Sequence, residues 1–278
     1  MSIGSLGRDR SASPMVEGRC LVKSFGRTPA LNGASVAVAA GEIVAVMGPS
    51  GSGKSTLLHC LAGIFTPDAG EVHVDGRRTD RLGETRRSEM RRTDFGFVFQ
   101  FGQLVPELTV EDNIALPLLL GGKTRRYAYT TARSWLPRLE LDGLGRRRTG
   151  EVSGGEAQRV AMARALVHHP KILFADEPTG SLDSLTGEHV MELLADLTRA
   201  EGTTVVLVTH EPRVAAYADR MVLVRDGNVT VAEPPHAQSH PADGSAGRRR
   251  PPSLARCCTG SACGWSPGAA GRPSCASQ

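Results

Sequence analysis

Long apolar runs are missing from this sequence of 278 residues. A membrane-spanning helix needs roughly 18–20 predominantly apolar residues in succession. The longest candidate, IALPLLLGG, is much shorter and is interrupted by Pro117. The first residues, MSIGSLGRDRSASPM, also lack the apolar segment of a secretory signal. We therefore expect no signal peptide and no transmembrane segment, and we expect a cytoplasmic protein that reaches a membrane only through a partner.

A basic excess is also missing from most of the chain. The net charge is +4, but residues 233–278 hold five arginines and two acidic residues, which leaves 28 basic and 27 acidic side chains in residues 1–232. A nucleic-acid-binding domain usually carries a basic patch or stripe. We therefore expect no nucleic acid as a partner.

Cysteine is scarce outside the last part of the chain. Four of the six cysteines and seven of the 17 prolines lie in residues 233–278. This basic Pro/Gly/Ala/Cys segment has too few apolar residues to offset the cost of ordering, so we predict that it is disordered, like residues 1–14. A metal clip at CCTGSAC is the alternative, although its Cys spacings match no common zinc pattern. Cys20 and Cys60 lie in apolar segments and are predicted to be buried, reduced thiols.

The segment GPSGSGKST, residues 48–56, has the spacing G-x-x-x-x-G-K-[ST] between a strand-like run, EIVAVM, and a helix-like run, LLHCLAGI. The backbone N–H groups of such a loop wrap an anion, and the N-terminus of the following helix adds its positive dipole end. Lys54 would reach the β- and γ-phosphates, and Ser55 would ligate Mg²⁺. The sequence thus predicts a nucleoside triphosphate site formed by Gly48, Pro49, Ser50, Gly51, Ser52, Gly53, Lys54, Ser55 and Thr56.

Polar groups follow two further apolar runs, KILFADEP and TTVVLVTHEP, which are separated by a helical pattern typical of a parallel crossover. Ligand sites of open α/β sheets form where the carboxyl ends of parallel strands meet. Asp176 would hold Mg²⁺ through water, and Glu177 would orient and polarise the attacking water. Neutral His210 could donate a hydrogen bond to the γ-phosphate or to the catalytic carboxylate.

A second helix N-terminus is predicted at VSGGE, where Ser153, Gly154 and Gly155 open an amphipathic helix that stops before Pro170. These residues offer a second set of anion-binding donors in a chain that already has a phosphate loop. Such a set is useful if it faces the nucleotide of a neighbouring chain. We therefore expect two chains to pair head-to-tail around two triphosphates.

Residues 15–232 resemble the ATP-binding subunit of an ABC transporter, with every expected motif in order. Phe25 matches the aromatic residue that stacks on adenine. Gln100 in GFVFQ matches the Q-loop residue, which ligates the metal and takes part in catalysis. The residues within several motifs are similar to those of the lipoprotein-release and macrolide-efflux branch. The resemblance implies Lys54, Gln100, Glu177 and His210 as catalytic residues, Ser55, Gln100 and Asp176 as metal ligands, and Ser153, Gly154, Gly155, Glu156 and Asp183 as contacts to the partner's ATP.

The resemblance also implies a fold and partners. The fold is an α/β P-loop NTPase: a RecA-like core with an antiparallel β part over about 15–100 and 156–232, plus a helical subdomain over about 101–155. The cofactors are ATP and Mg²⁺, and the partners are a second copy of the chain and membrane permease subunits at the cytoplasmic face of the cell membrane. Leu104, Pro106 and Leu108 either line the groove that receives a permease helix or pack the two lobes together.

Other classes of phosphate-loop protein differ in layout. Non-transport ABC ATPases that act on ribosomes or nucleic acid are the alternative, but they carry two cassettes in one chain or long coiled coils between the two halves. Here a single cassette places Ser153 about a hundred residues after Lys54. A small-molecule kinase with a phosphate loop would not need VSGGE. The layout therefore favours a transporter subunit.

Overall fold

The structure is a computed structural model that describes residues 13–100 and 102–232. The segment 233–278 and all but the last two residues of 1–14, both predicted to be disordered, lie outside the described residues. No helix in the described part of the chain is long and apolar enough to cross a bilayer. The strands are β1 Val16–Phe25, β2 Thr28–Val38, β3 Ile43–Met47, β4 Ala69–Val74, β5 Arg77–Arg78, β6 Phe95–Phe99, β7 Ile172–Asp176, β8 Thr204–Val208, β9 Arg220–Arg225 and β10 Asn228–Ala232. The helices are α1 Lys54–Leu61, α2 Glu84–Thr93, α3 Val110–Leu120, α4 Arg125–Arg138, α5 Gly154–Leu166, α6 Ser184–Glu201 and α7 Pro212–Ala215, with a 3₁₀ turn at Thr149–Glu151.

A six-stranded sheet in the order β10-β9-β3-β8-β7-β6 forms the centre of the fold. The strands from β9 to β6 are parallel, and β10 pairs antiparallel with β9. β3, β7 and β8 are apolar and buried along nearly their whole length, as expected for parallel strands that are covered on both faces. The predicted parallel crossover is confirmed, because β7 and β8 are parallel neighbours in the sheet and α6 connects them in the chain. The carboxyl ends of β3, β6, β7 and β8 therefore lie along one edge.

A separate four-stranded antiparallel sheet has the order β2-β1-β4-β5. Along the second half of β2, buried and exposed residues alternate, as expected for strands with one face on the core. This sheet packs with α1 and the central sheet around one apolar cluster, which includes Leu21, Leu31, Leu57 and Val206. β2 of this sheet thereby passes beside the segment that joins β3 to α1.

The prediction that Cys20 is buried is wrong. The pairing of β1 with β2 shifts register between Gly18 and Leu21, and Cys20 takes a φ of 48° at this bulge. The extra residue turns Cys20 outward, where it is exposed, while Leu21 occupies the core position and is fully buried. Cys60 is buried as predicted, and burial raises the pKa of its thiol to about 12.

Helices α3 and α4 lie within the span predicted for the helical subdomain. α3 begins with a capping box, in which the Thr109 hydroxyl accepts from the Asp112 N–H and the Asp112 carboxylate accepts from the Thr109 N–H. Both helices pack against α5, and Trp135 is almost completely buried in this core. Leu104 packs against the same core and Pro106 is exposed. The division into two lobes stays a prediction.

Candidate active site

The segment between β3 and α1 needs glycine at two positions because other backbone segments pass very close to it. A Cβ atom on Gly48, whose φ is 153°, would lie 2.1 Å from Val224 O, and a Cβ atom on Gly53, whose φ is 102°, would lie 2.2 Å from Ala30 O. Both distances are far below any real contact of a Cβ atom. The two glycines of the motif are therefore fixed by the strands β9 and β2 that surround the loop.

Lys54 holds this loop in its shape. Its side chain is buried, and Nζ donates to Gly48 O and Pro49 O, both at 2.9 Å. An ammonium group has three N–H donors. Among the described residues Nζ has these two acceptors, so its third donor is available for an oxygen of a bound phosphate, next to the N-terminus of α1.

Ser55 and Asp176, the two residues that the sequence predicts to hold Mg²⁺, are in contact. The Ser55 hydroxyl donates to Asp176 Oδ1 at 3.2 Å, although 121 residues separate the two in the chain. Burial raises the pKa of the Asp176 carboxyl, and the hydrogen bond from Ser55 opposes part of that rise. A divalent cation beside Asp176 would favour its charged form. A hydroxyl and a carboxylate are oxygen ligands of the kind that Mg²⁺ prefers, so this pair fits the metal.

Glu177 and His210 form a second contact between strand ends. Glu177 Oε1 and His210 Nδ1 lie 3.0 Å apart. The Glu177 N–H donates to Val208 O at 2.9 Å, which extends the ladder between β7 and β8 by one residue. Glu177 has a φ of 47°, a left-handed conformation that is uncommon for residues other than glycine. The backbone thus turns sharply at the residue whose carboxylate meets His210.

A cavity of about 400 Å³ lies beside Ser55, Asp176 and Glu177, and His210 is next to it through its contact with Glu177. Gln100, which follows β6, is part of its wall, and its backbone oxygen accepts from the Ser181 hydroxyl at 2.8 Å. We use the name strand-end site for Ser55, Gln100, Asp176, Glu177 and His210. The lining of the cavity consists of Ser55, His59, Phe99, Gln100, Gln103, Asp176 and Glu177.

His59 and Gln103 line the cavity although sequence reasoning missed both. His59 lies on α1 four residues after Ser55, and residues at this spacing share one face of a helix, so the signal was present in the sequence. Burial lowers the pKa of the His59 side chain, and the charge of Asp176 opposes that effect. Gln103 follows the Q-loop with a φ of 45°, which no sequence pattern indicated.

Phe25 ends β1 and does not belong to the cavity lining in the described part of the chain. Its side chain is 47% exposed, and its ring contacts Phe65 edge-to-face with 5.4 Å between the ring centroids. The ring can therefore still present surface to a planar ligand. Its predicted stacking on adenine stays a prediction.

The start of α5, residues 153–156, is capped by its own side chains. The Ser153 hydroxyl accepts from the Glu156 N–H at 3.3 Å, and the Glu156 carboxylate accepts from the Ser153 N–H at 2.7 Å, which lowers the pKa of the Glu156 carboxyl. Ser153 and Gly154 are exposed, whereas a Cβ atom on Gly155 would lie 2.5 Å from Thr186 Cγ2. None of these four residues lines the cavity in the described part of the chain.

Asp183 is a helix cap in this structure. Its carboxylate accepts from the Thr186 N–H at 3.1 Å at the start of α6. A hydrogen bond from the Thr186 side chain and the one from the Thr186 N–H lower the pKa of the Asp183 carboxyl. Like residues 153–156, Asp183 is absent from the described lining of the cavity. The structure thus brings Ser55, Gln100, Asp176 and Glu177 to one cavity, whereas Ser153, Gly154 and Asp183 are exposed and Gly155 is buried.

Comparison with known proteins identifies relatives over most of the chain. The family model described as ABC transporter matches residues 31–180. The lipoprotein-releasing system ATP-binding protein LolD of Porphyromonas gingivalis is 42% identical over 213 residues, which is 77% of this chain and 97% of that protein. LolD 1 of Rhodospirillum rubrum is 46% identical over 202 residues, which is 73% of this chain and 89% of that protein.

Solved structures match in fold as well. The dimeric structure of a post-hydrolysis state of the ATP-binding cassette MJ0796, bound to ADP and Pi, is 38% identical with a TM-score of 0.73 and covers 79% of this chain and 99% of that chain. CbiO1 of Clostridium perfringens, part of an ABC transporter complex, is 27% identical with the same TM-score of 0.73 and covers 80% of this chain and 89% of that chain. The predicted fold class, a P-loop NTPase with an ABC cassette, is confirmed.

These relatives and the family model agree with the motifs in the chain. LolD belongs to a lipoprotein-releasing system and CbiO1 to an ABC transporter complex, so these relatives do not favour the alternative of an ATPase that acts on nucleic acid or ribosomes. The match extends over nearly the full length of each relative, and the cassette MJ0796 contains the products of ATP hydrolysis. The chain therefore belongs to the ABC transporter family, in which it is an ATP-binding subunit with ATPase activity.

Proposed function

We propose that this chain is the ATPase subunit of a transporter of the lipoprotein-releasing type. In this proposal two copies of the chain act at the cytoplasmic face of the cell membrane and drive a separate permease. The observation that carries the proposal is the similarity to the LolD proteins, at 42–46% identity over 89–97% of their length. Most of each relative is thereby represented in this one chain.

In the proposed complex the phosphates of ATP lie in the loop of residues 48–56. Ser55, Gln100 and Asp176 hold Mg²⁺, with Asp176 acting through a water molecule. The 3.2 Å contact between Ser55 and Asp176 and the place of Gln100 in the same cavity wall support this set. When bound, Mg²⁺ neutralises negative charge on the β- and γ-phosphates.

The side chains of the strand-end site and Lys54 have separate roles in ATP hydrolysis. Glu177 accepts a hydrogen bond from the attacking water and polarises it. His210, 3.0 Å from Glu177, holds that carboxylate in place and reaches the γ-phosphate. Lys54 donates its free N–H to the β- and γ-phosphate oxygens. Phosphoryl transfer needs little more from a protein than such positioning and charge stabilisation.

A second chain completes the site in this proposal. Residues 153–156 and Asp183 of one chain face the ATP bound to the phosphate loop of the other, and Phe25 stacks on the adenine within its own chain. The exposure of Ser153 and Gly154 supports this arrangement. A two-fold pairing would bury two nucleotides in a closed assembly.

The proposal is tested on the intact complex. A tagged chain is expressed in its native cells, purified from solubilised membranes and reconstituted in vesicles with the proteins that accompany it. We expect an integral membrane subunit in equimolar amount, and Mg²⁺-dependent ATP hydrolysis that a lipid-modified peptide stimulates.

The same peptide without its lipid is the control and should not stimulate hydrolysis. Equal stimulation by both peptides would contradict the lipoprotein-releasing type while leaving the transporter role intact. Purification with ribosomes or nucleic acid in place of a membrane subunit would overturn the proposed transport partner.

A further inference from the structure

The end of β1, which carries Phe25, is fixed to the short segment that follows α1. Asp68 in this segment accepts hydrogen bonds from Lys23 Nζ at 2.8 Å and from the Ser24 N–H at 2.7 Å. The Asp68 N–H donates in turn to Val22 O at 2.8 Å. Three contacts with one residue therefore set the position of the last residues of the strand.

Phe65 belongs to the same segment and contacts Phe25 directly. The ring centroids are 5.4 Å apart and the ring planes meet at 72°, the edge-to-face geometry that aromatic pairs prefer. Phe65 is partly buried and packs against the core beneath the antiparallel sheet, whereas 47% of Phe25 is exposed. Phe65 is thus the anchored member of the pair, and Phe25 is the member that can meet a ligand.

Phe65 also contacts His59 on α1. Their ring centroids are 5.2 Å apart with the planes at 84°, and the Phe65 N–H donates to His59 O at 3.1 Å. α1 is the helix that begins at Lys54, and His59 lines the same cavity as Ser55. His59, Phe65 and Phe25 therefore form a column of three rings that runs from the helix of the phosphate loop to the end of β1.

We infer that Phe65 is a positioning residue for ATP, which holds the Phe25 ring at a fixed place relative to the phosphate loop. One nucleotide can then occupy the base-stacking ring and the loop at the same time without first ordering either. Fixing a binding group in its bound position in advance strengthens binding, because less conformational freedom is lost on association. This inference rests on the proposed role of Phe25 as the adenine-stacking residue.

The test compares two ligands that differ in the base. Isothermal titration calorimetry in EDTA, where hydrolysis is suppressed, measures the affinity of the full chain for ATP and for inorganic triphosphate. Phe65→Leu should weaken ATP binding about two- to tenfold, the range expected for the loss of one aromatic contact. Triphosphate has no base, so its affinity should not change.

Phe65→Tyr is the matched control, because it keeps the ring and should bind ATP like the wild-type chain. A general defect of folding in Phe65→Leu would weaken both ligands and lower the melting temperature, and equal weakening of ATP and triphosphate would overturn the inference.

A double-variant cycle separates this inference from the proposed function. Phe25→Leu should weaken ATP binding, and adding Phe65→Leu to it should have no further effect. If Phe25→Leu weakens ATP binding but Phe65→Leu does not, or if the two losses add, Phe65 does not act through Phe25. The inference is then wrong while the adenine site stands. If Phe25→Leu binds ATP like the wild-type chain, the proposed adenine site is wrong and the inference fails with it.

Discussion

The strand-end site and the start of α5 are both rich in polar groups, but they are built in opposite ways. In the strand-end site the contacts join residues far apart in the chain, such as Ser55 with Asp176 and Glu177 with His210. At the start of α5 the contacts join Ser153 and Glu156, only three residues apart. The first region is assembled by the whole fold around a cavity. The second is formed locally at the start of a helix, and its proposed role is to act on the ATP of a second chain.

Glu177→Gln should have the largest effect, because it acts at the centre of the strand-end site. Gln keeps the size of Glu but cannot serve as a carboxylate base, and the loss of such a group costs about 10²–10⁴ in rate. One negative charge near the γ-phosphate is also removed, so ATP should bind at least as well. With hydrolysis slowed, an ATP-dependent dimer of the chain should accumulate. ATPase assays and size-exclusion chromatography measure the two effects.

The wild-type chain is the control for this pair of measurements and should stay mostly monomeric, because it hydrolyses the ATP that joins the two copies. Wild-type hydrolysis by Glu177→Gln would make the carboxylate structural. An inactive variant that remains monomeric in saturating ATP and Mg²⁺ would keep the hydrolytic role but contradict the pairing of two chains.

Ser153→Arg tests the other region and should abolish most hydrolysis without weakening the first binding of ATP. The nucleotide first docks on the phosphate loop of its own chain. Ser153 does not line the cavity beside that loop. A bulky side chain at the exposed start of α5 would block the approach of the second chain. Calorimetry on the isolated chain and ATPase assays on the complex separate the two steps. Lys54→Ala is the comparison, and an equal loss of ATP affinity in both variants would mean that Ser153 acts within its own chain.

Glu156→Ala should have a smaller effect, on stability. The variant loses the carboxylate that accepts from the Ser153 N–H, and we expect the free energy of unfolding to fall by about 0.5–1 kcal/mol, at the low end for the loss of a cap. Glu156→Gln can still close a capping box and serves as the control. Chemical denaturation measures both variants. If Glu156→Ala lowers the ATP affinity of the isolated chain, the start of α5 is not independent of the strand-end site.

The smallest effect is expected from deleting residues 236–278, which lie outside the described residues and carry none of the motifs of either region. ATP hydrolysis by the assembled complex should stay within a few-fold of that of the full chain, because the segment holds little apolar surface that could support the fold. A shortened chain that loses most of its activity or fails to fold would show that the segment has a role in one of the two regions.

Local patterns explain why much of the strand-end site could be predicted from the sequence. The spacing of Gly48, Gly53 and Lys54 between an apolar run and a helical run identifies a phosphate loop, and apolar runs that end in Asp176 or precede His210 identify strand ends. Parallel strands align those ends along one edge whatever the detail of the packing. The contacts within the site follow from the topology, which the patterns were sufficient to indicate.

Features that depend on strand register, or on how a connecting segment packs against a strand, could not be predicted in this way. The exposure of Cys20 follows from a bulge in β1, and nothing in the alternation of apolar residues reveals an extra residue. The contact of Phe65 with Phe25 depends on how the segment after α1 lies against β1. His59 is the intermediate case, because helical spacing from Ser55 places it on the correct face but does not reveal the cavity.

The left-handed backbone of Glu177 has a consequence for anyone who engineers this protein. A residue with a Cβ atom pays roughly 1–2 kcal/mol to adopt that conformation, and glycine avoids this cost. Folding stability and the proposed role of Glu177 in ATP hydrolysis therefore oppose each other at this position. A directed-evolution screen that selects only for thermal stability would favour glycine at residue 177, and it would enrich variants that are more stable but inactive.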